Sequence, residues 1–184
     1  MSREAARRRM SREAARRRMS RAASIKSARR QMRQRYMPST HISIHSHIVF
    51  STKERVASIG RDWRQRLHAY LGGIANGLEA KPLAIGGTAD HVHLLIGMKS
   101  SHRIDYLVRD LKADSSEWVH HELDKRMFQW QKGYGAFSVS PSNVERVKRY
   151  VLTQEEHHQR ITFQAEYLTL LKESGLEYDE RYLW

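Results

Sequence analysis

The sequence holds no cysteine, and nowhere does it run apolar for the roughly 20 residues that span a bilayer. The first absence excludes disulfides, thiolate zinc sites and cysteine nucleophiles. The second leads us to expect a soluble protein with no membrane partner, acting in the cytoplasm. Prolines number 3 in the 184 residues. Acids are the other scarcity, and they are scarce in one place. Residues 1–36 carry 14 Lys and Arg against 2 acids, a net of +12, whereas residues 37–184 carry 19 against 18. All 11 histidines lie in the second part. The basicity that suggests a nucleic-acid partner is therefore concentrated in the first 36 residues.

Those residues are repetitive: "MSREAARRR" stands at 1–9 and again at 10–18, and a third copy begins at Met19 as "MSRAAS". A nine-residue repeat poor in large apolar side chains has nothing with which to build a core, so a disordered or loosely helical basic arm is expected, binding phosphate backbones non-specifically. An Arg-rich, Ser-containing start also has the look of a transit peptide, although Glu4 and Glu13 count against it. A further reading is that the protein starts at Met37 and the repeat is an over-extended reading of the gene. The expected division is a basic tail at 1–36 and one domain at 37–184.

Along that domain, "HISIHSHIVFS" (41–51) alternates apolar and polar residues, the period of a half-buried strand. "RDWRQRLHAYLGGIANGLEA" (61–80) spaces Leu67, Leu71, Ile74 and Leu78 as a helix does. "PLAIGGT" and "DHVHLLIGM" read as two strands of a hairpin. "IDYLVRDLKADSSEWVHHEL" (104–123) is a second amphipathic helix with Ile104, Leu107, Val108 and Leu111 inward. "FQWQKGYGAFSVS" (128–140) is a strand broken by glycines. A helix from Pro141, with Ser142 and Glu145 at capping-box spacing, and a last helix over about Phe163 to Lys172 follow. The order β-α-β-β-α-β and two further helices predicts an α+β fold of the ferredoxin-like split βαβ type. Its antiparallel sheet has two helices on one face.

Two stretches carry chemistry. In "TADHVHLLIGM" (88–98), His91 and His93 share one strand face while Val92 points the other way, so two imidazoles stand about 7 Å apart. That spacing can hold one metal ion or flank one phosphate, and it equally suits two ordinary sheet-face histidines. On the helix from Ser142, Val144, Val147 and Val151 form the packing stripe, and Tyr150, Gln154 and His157 fall together on a neighbouring one. A phenol, an amide and an imidazole in a row suit a nucleophile beside a metal ligand. A tyrosine at such an edge is also a common amphipathic packing residue.

Together, "ADHVHLLI" and the downstream "SNVERVKRYVLTQEEHH" resemble the single-tyrosine HUH transposases of the insertion-sequence 200/605 type. "HIVFSTKER" (47–55), "GYGAFSVS" (133–140) and "EYDERYLW" (177–184) are similar to that family too, so the resemblance covers about 37–184. It implies that Tyr150 is the catalytic tyrosine and that His91, His93 and Gln154 bind a divalent metal, Mg²⁺ or Mn²⁺. It implies an enzyme that cuts single-stranded DNA at hairpin-marked element ends and rejoins it through a 5′-phosphotyrosine, without nucleotide cofactor. It further implies a homodimer in which the tyrosine helix of one subunit can serve the histidines of the other, associated with the nucleoid when bound to DNA. Imidazole and amide ligation is not the all-oxygen set that Mg²⁺ prefers, which favours Mn²⁺.

The base that takes the phenol proton is not identified by the sequence; His157, one turn beyond Gln154, is a candidate for proton transfer or DNA contact. A second pair, His45 and His47 in "HSH", lacks the hydrophobe of an HUH motif and reads as sheet-face or DNA-facing. Lys53, Arg55, Arg109, Lys112, Arg146, Lys148 and Arg149 are candidates for phosphate contacts, and Trp118, Trp130 and Tyr134 for base stacking. Rival readings are a domesticated relative of the REP-associated tyrosine transposase type that binds or nicks genomic hairpins, an RNA-binding RRM, for which "HVHLLIGM" supplies no RNP-like aromatics, and a rolling-circle initiator or relaxase, against which the short chain counts.

Overall fold

A computed structural model of the chain describes residues 41–179 together with Arg181 and Leu183; the basic repeat at 1–36 and the expected start at Met37 lie outside them. Strand β1 (Ile44–Ser51) is followed by helix α1 (Arg61–Gly77), the hairpin β2 (Lys81–Gly87) and β3 (His91–Met98), helix α2 (Ile104–Glu122) and strand β4 (Gly135–Val139). Helices α3 (Val144–Leu152), α4 (Gln154–His157) and α5 (Phe163–Glu173) follow, and short 3-10 turns stand at Lys53–Arg55 and Pro141–Asn143. The four strands form one antiparallel sheet in the order β2-β3-β1-β4, the strand order of the ferredoxin-like fold anticipated from the pattern.

Strand alternation divides the sheet into two faces. Ile48 and Phe50 of β1 and Val92, Leu94 and Ile96 of β3 point one way and are almost wholly buried against Leu67 and Leu71 of α1 and Leu107, Val108 and Leu111 of α2. Each such side chain contributes roughly 1.5–3 kcal/mol on leaving water. The register sets Val49 opposite His93, Ser51 opposite His91 and His47 opposite Phe137. These residues therefore share the opposite face, which α3 and α5 cover: Val151 packs on Ala84 and Leu95, and Phe163 and Leu171 pack on Val49 and Phe137.

Three local features differ from the sequence reading. The strand expected over 128–140 is confined to Gly135–Val139, and Trp130 makes only an isolated bridge to Thr52 while its ring joins the core. The capping box does not form. Pro141 opens a 3-10 turn over Pro141–Asn143 and puts Ser142 inside it, so the Ser142 hydroxyl meets Ser140 Oγ at 3.0 Å and caps nothing. The helix expected to run on through His157 breaks at Thr153 (φ −105°, ψ 24°), whose hydroxyl donates to the Arg149 carbonyl at 3.0 Å, a local bond that competes with helix continuation.

The docking of α3 on the sheet depends on one absent side chain. A Cβ on Gly86 would stand 1.8 Å from the Val151 carbonyl oxygen, closer than any contact allows. Gly86 pairs with His93 across the hairpin, so the helix bearing Tyr150 comes down on the sheet beside the histidines.

Candidate active site

Strand β3 delivers His91 and His93 to the same face, with ring centroids 5.0 Å apart and both side chains buried. Each ring is held through its Nδ1. Asp90 Oδ1 lies 2.7 Å from His91 Nδ1, and Thr88 Oγ1 lies 3.0 Å from it. His47 Nε2 lies 2.9 Å from His93 Nδ1, the two rings stacking at 5.1 Å. At His91 the Asp90 carboxylate can only accept, which selects the tautomer whose Nε2 lone pair is free, the arrangement in which histidine ligates metals; at His93 the same tautomer forms when His47 Nε2 accepts.

Residues from the C-terminal helices close around this pair. His158, just past α4, is pinned in the same manner by a 2.9 Å contact from Nδ1 to the Ile161 carbonyl, and its ring centroid lies 4.6 Å from that of His91. Glu166, on α5, is 3% exposed and sets Oε2 3.1 Å from His158 Nε2 and 3.5 Å from His93 Nε2. Its Oε1 accepts a short hydrogen bond from the Tyr150 hydroxyl and lies 3.3 Å from Gln154 Nε2. The Tyr150 ring stands edge-on to both His93 and His47, with centroids 5.8 Å away in each case. Phe163 stacks on His91 at 4.1 Å and seals the far side.

The electrostatics follow from burial. It pushes His93 down to about 4, and His47 down to about 3 with help from the neighbouring His93, so both rings are neutral at neutral pH. Burial alone would raise Glu166, but the imidazoles of His158 and His93 beside it hold it well below the usual carboxylate range. Burial and the Glu166 carboxylate together hold the Tyr150 phenol far above its ordinary value. A neutral phenol therefore faces an ionised carboxylate, with neutral imidazoles behind. His91, His93, His158 and Glu166 each offer a donor atom, all four within 4.8 Å of one another, and imidazole nitrogens with a carboxylate oxygen suit a divalent transition ion.

The structure thus brings together Tyr150, His91, His93, Gln154 and His157, the last a third exposed with Nε2 3.3 Å from Glu166 Oε1. Gln154 is buried, and its amide nitrogen donates to the Tyr150 carbonyl at 3.2 Å. His47, read from sequence as sheet-face or DNA-facing, is on the sheet face but buried, holding His93. Lys112 is half-buried: its ammonium donates to the carbonyls of Gln131 at 2.7 Å and Gly133 at 2.6 Å, and burial pushes it down to about 8. Trp130 is a core residue that donates to Ser115 Oγ at 2.9 Å, and Trp118 already stacks on Tyr70 at 4.9 Å. Tyr134 remains exposed. Arg109 pairs with Asp110 at 2.8 Å, Arg55 is half-buried, and Lys53, Arg146 and Arg149 are exposed, with Lys148 half-buried on α3.

Sequence reasoning missed Asp90, His158 and Glu166. Asp90 was visible as an acid directly before the first histidine, and His158 as the second of a doubled pair. Glu166 had a subtler signal, a carboxylate three residues after Phe163 on the apolar face of its helix, where a surface charge would not be placed.

The model of a family described as "Transposase IS200 like" matches residues 40–154. Among solved structures, a putative transposase from Deinococcus radiodurans R1 is similar at 22% identity and TM-score 0.52, covering 62% of this chain and 93% of that one. A REP-associated tyrosine transposase bound to a REP hairpin is similar at 12% identity and TM-score 0.51, covering 73% of this chain and 86% of that one. No curated protein matches the chain.

Proposed function

The chain belongs to the IS200-like transposase family, and from that premise we propose that it cuts and rejoins single-stranded DNA through a covalent bond between Tyr150 and a 5′-phosphate. The observation that carries this reading is the meeting on one sheet face of a buried phenol, hydrogen-bonded to a carboxylate, with a pinned histidine pair. Such a constellation is costly as a packing device, since buried polar groups without partners destabilise the fold.

A phosphodiester repels nucleophiles with its own charge. A divalent ion held by His91 and His93, with Gln154 as the third ligand that the family resemblance implies, would neutralise that charge, an effect worth several kcal/mol. The chain's own residues do the rest. Asp90 and His47 fix the two imidazoles. Tyr150 attacks phosphorus, the phenolic O–P bond forms as the bond to the 3′-oxygen breaks, and the 3′-oxygen leaves as a hydroxyl after taking up a proton. Glu166, the group the phenol touches, is placed to take the phenolic proton. Because the phosphotyrosine keeps the energy of the broken bond, another 3′-hydroxyl can reverse the step and join DNA without a nucleotide cofactor. Substrates with hairpin ends follow from the family resemblance. Within one chain the Tyr150 ring stands beside its own histidines; a homodimer that exchanges tyrosine helices follows from the family resemblance.

The test is incubation of the full chain and Tyr150→Phe with single-stranded DNA from the flanks of its gene, with Mn²⁺ or with chelator, followed by denaturing electrophoresis. A metal-dependent covalent adduct is expected with the parent and none with the variant. Tight hairpin binding without any adduct in either would favour the domesticated, REP-associated type of relative.

A further inference from the structure

Resting on the reading that His91 and His93 hold the ion for DNA cutting, we propose that the centre has four protein ligands. These are His91 Nε2, His93 Nε2, His158 Nε2 and Glu166 Oε2, a set that takes a first-row transition ion such as Mn²⁺ in preference to Mg²⁺. Two of the four come from the C-terminal segment beyond the residues that match the family model, which end at 154.

The argument lies in how the four donors are held. Three histidines, on β3 and just past α4, each have Nδ1 engaged, by Asp90 at 2.7 Å, His47 at 2.9 Å and the Ile161 carbonyl at 2.9 Å. All three Nε2 atoms and Glu166 Oε2 are buried without a hydrogen-bond partner, yet they converge within 4.8 Å of one another. Oε2 lies 3.1 Å from His158 Nε2 and 3.5 Å from His93 Nε2, but neither approach is aligned as a hydrogen bond. Buried polar atoms almost always find partners, so a cluster whose far sides are satisfied and whose near sides all face one point is arranged for a group at that point. A cation meets all four needs at once.

The donor chemistry selects the ion. Mg²⁺ favours oxygen ligands and retains water, whereas three imidazoles and one carboxylate suit Mn²⁺ and its neighbours. Glu166 gains a double function, because Oε1 receives the Tyr150 hydroxyl while Oε2 faces the nest. One carboxylate thereby ties the nucleophile to the metal. Gln154 Oε1 is also buried without a partner, but the amide's nitrogen is turned to Glu166 and the Tyr150 carbonyl, and the four-ligand centre therefore makes Gln154 a brace for the carboxylate in place of the third ligand that the family resemblance implies.

The experiment titrates Mn²⁺ and Mg²⁺, each alone, into the full chain by calorimetry, and repeats this for Glu166→Gln, His158→Gln, Gln154→Ala and His91→Ala. Losses of at least about tenfold in Mn²⁺ affinity are expected for Glu166→Gln and His158→Gln, with less than about threefold for Gln154→Ala and Mg²⁺ binding at least about tenfold weaker than Mn²⁺ in the parent. The visible absorption of added Co²⁺ supplies a readout that a merely structural role would not move: its bands shift when the carboxylate becomes an amide. Should Glu166→Gln be poorly folded by circular dichroism, Glu166→Asp keeps the charge with a shorter reach and is expected to bind with intermediate affinity. Unchanged Mn²⁺ binding and Co²⁺ spectrum in Glu166→Gln and His158→Gln, with a loss in Gln154→Ala, would overturn the four-ligand centre while leaving the proposed function standing. Unchanged binding in His91→Ala as well would remove the metal from this face and with it the reading on which the inference rests.

Discussion

The two faces of the sheet are built from alternate residues of the same strands and do opposite work. On one, Ile48, Phe50, Val92, Leu94 and Ile96 meet α1 and α2 in a continuous apolar layer. On the other, His47, His91 and His93 meet a carboxylate, a phenol and a glutamine supplied by α3, α4 and α5. The first face stabilises the fold by removing hydrocarbon from water. The second sets polar atoms in the dark with several of them unpartnered, which costs stability unless a ligand completes them. A domain can keep such a face only if the opposite one is self-sufficient, and here a single residue step along β3 moves from one regime to the other.

The sharpest way to break this comparison is to truncate neighbours. Leu94→Ala is expected to cost about 2–5 kcal/mol of folding stability and to leave metal affinity in the folded fraction within about twofold. His93→Ala should leave stability little changed and should reduce adduct formation by about a hundredfold or more, in line with the several kcal/mol attributed to the ion. Denaturant melts beside the electrophoretic adduct assay measure both. Equal stability losses in the two variants would mean that the histidine face is ordinary core.

Gly86→Ala probes the joint between α3 and the site face. The added methyl group has no room beside the Val151 carbonyl, so α3 must lift, for about 1–3 kcal/mol of stability and a loss of cutting of the order of tenfold to a hundredfold through misplacement of Tyr150. A fully active Gly86→Ala would show that the tyrosine does not need this close approach.

His68, on α1, provides a titration away from the proposed metal ligands. Burial, with Arg64 beside it, pushes it down from 6.5 to about 4. A histidine depressed in the folded state contributes stability that is present above its unfolded value near 6.5 and lost as pH falls through the folded value. A loss of up to about 3 kcal/mol is therefore expected between pH 6.5 and 4. Melting temperatures across that range should fall less steeply for His68→Leu than for the parent; parallel slopes would assign the acid sensitivity elsewhere. The smallest effect belongs to Ser142→Ala. A working N-cap serine contributes roughly 0.5–2 kcal/mol, but Ser142 makes no cap bond, so a change below about 0.3 kcal/mol is expected in the same melts.

Much of this architecture was written in short-range pattern. The alternation in "HISIHSHIVFS" and "DHVHLLIGM", the heptad-like spacing in 61–80 and 104–123, and the order of those segments suffice for the sheet and its first two helices, because periodicity fixes which side of each element is apolar. The pairing of His91 with His93 on one face is of the same kind, as is the neighbourhood of Tyr150 and Gln154 one helical turn apart. Where the sequence reading failed, two local rules competed: Pro141 turned the capping serine into a turn residue, and the Thr153 hydroxyl interrupted a helix whose apolar stripe did not foretell a break.

What only the tertiary structure decided is who meets whom across distance. Nothing near Glu166 in the chain announces that its two oxygens serve Tyr150 and the histidines, and nothing in "HSH" distinguishes His45 from the His47 that holds His93. Those encounters depend on the register of β1 against β3 and on the seating of α5 over the sheet, which are set by packing summed over many residues rather than by any local spacing. Sequence by itself determined the elements and the face on which each reactive side chain stands, since periods of 2 and 3.6 residues are properties of the backbone. The partners of those side chains, and so the chemistry open to them, came from the fold, because burial and hydrogen bonding are satisfied between elements that the chain brings together only once it is folded.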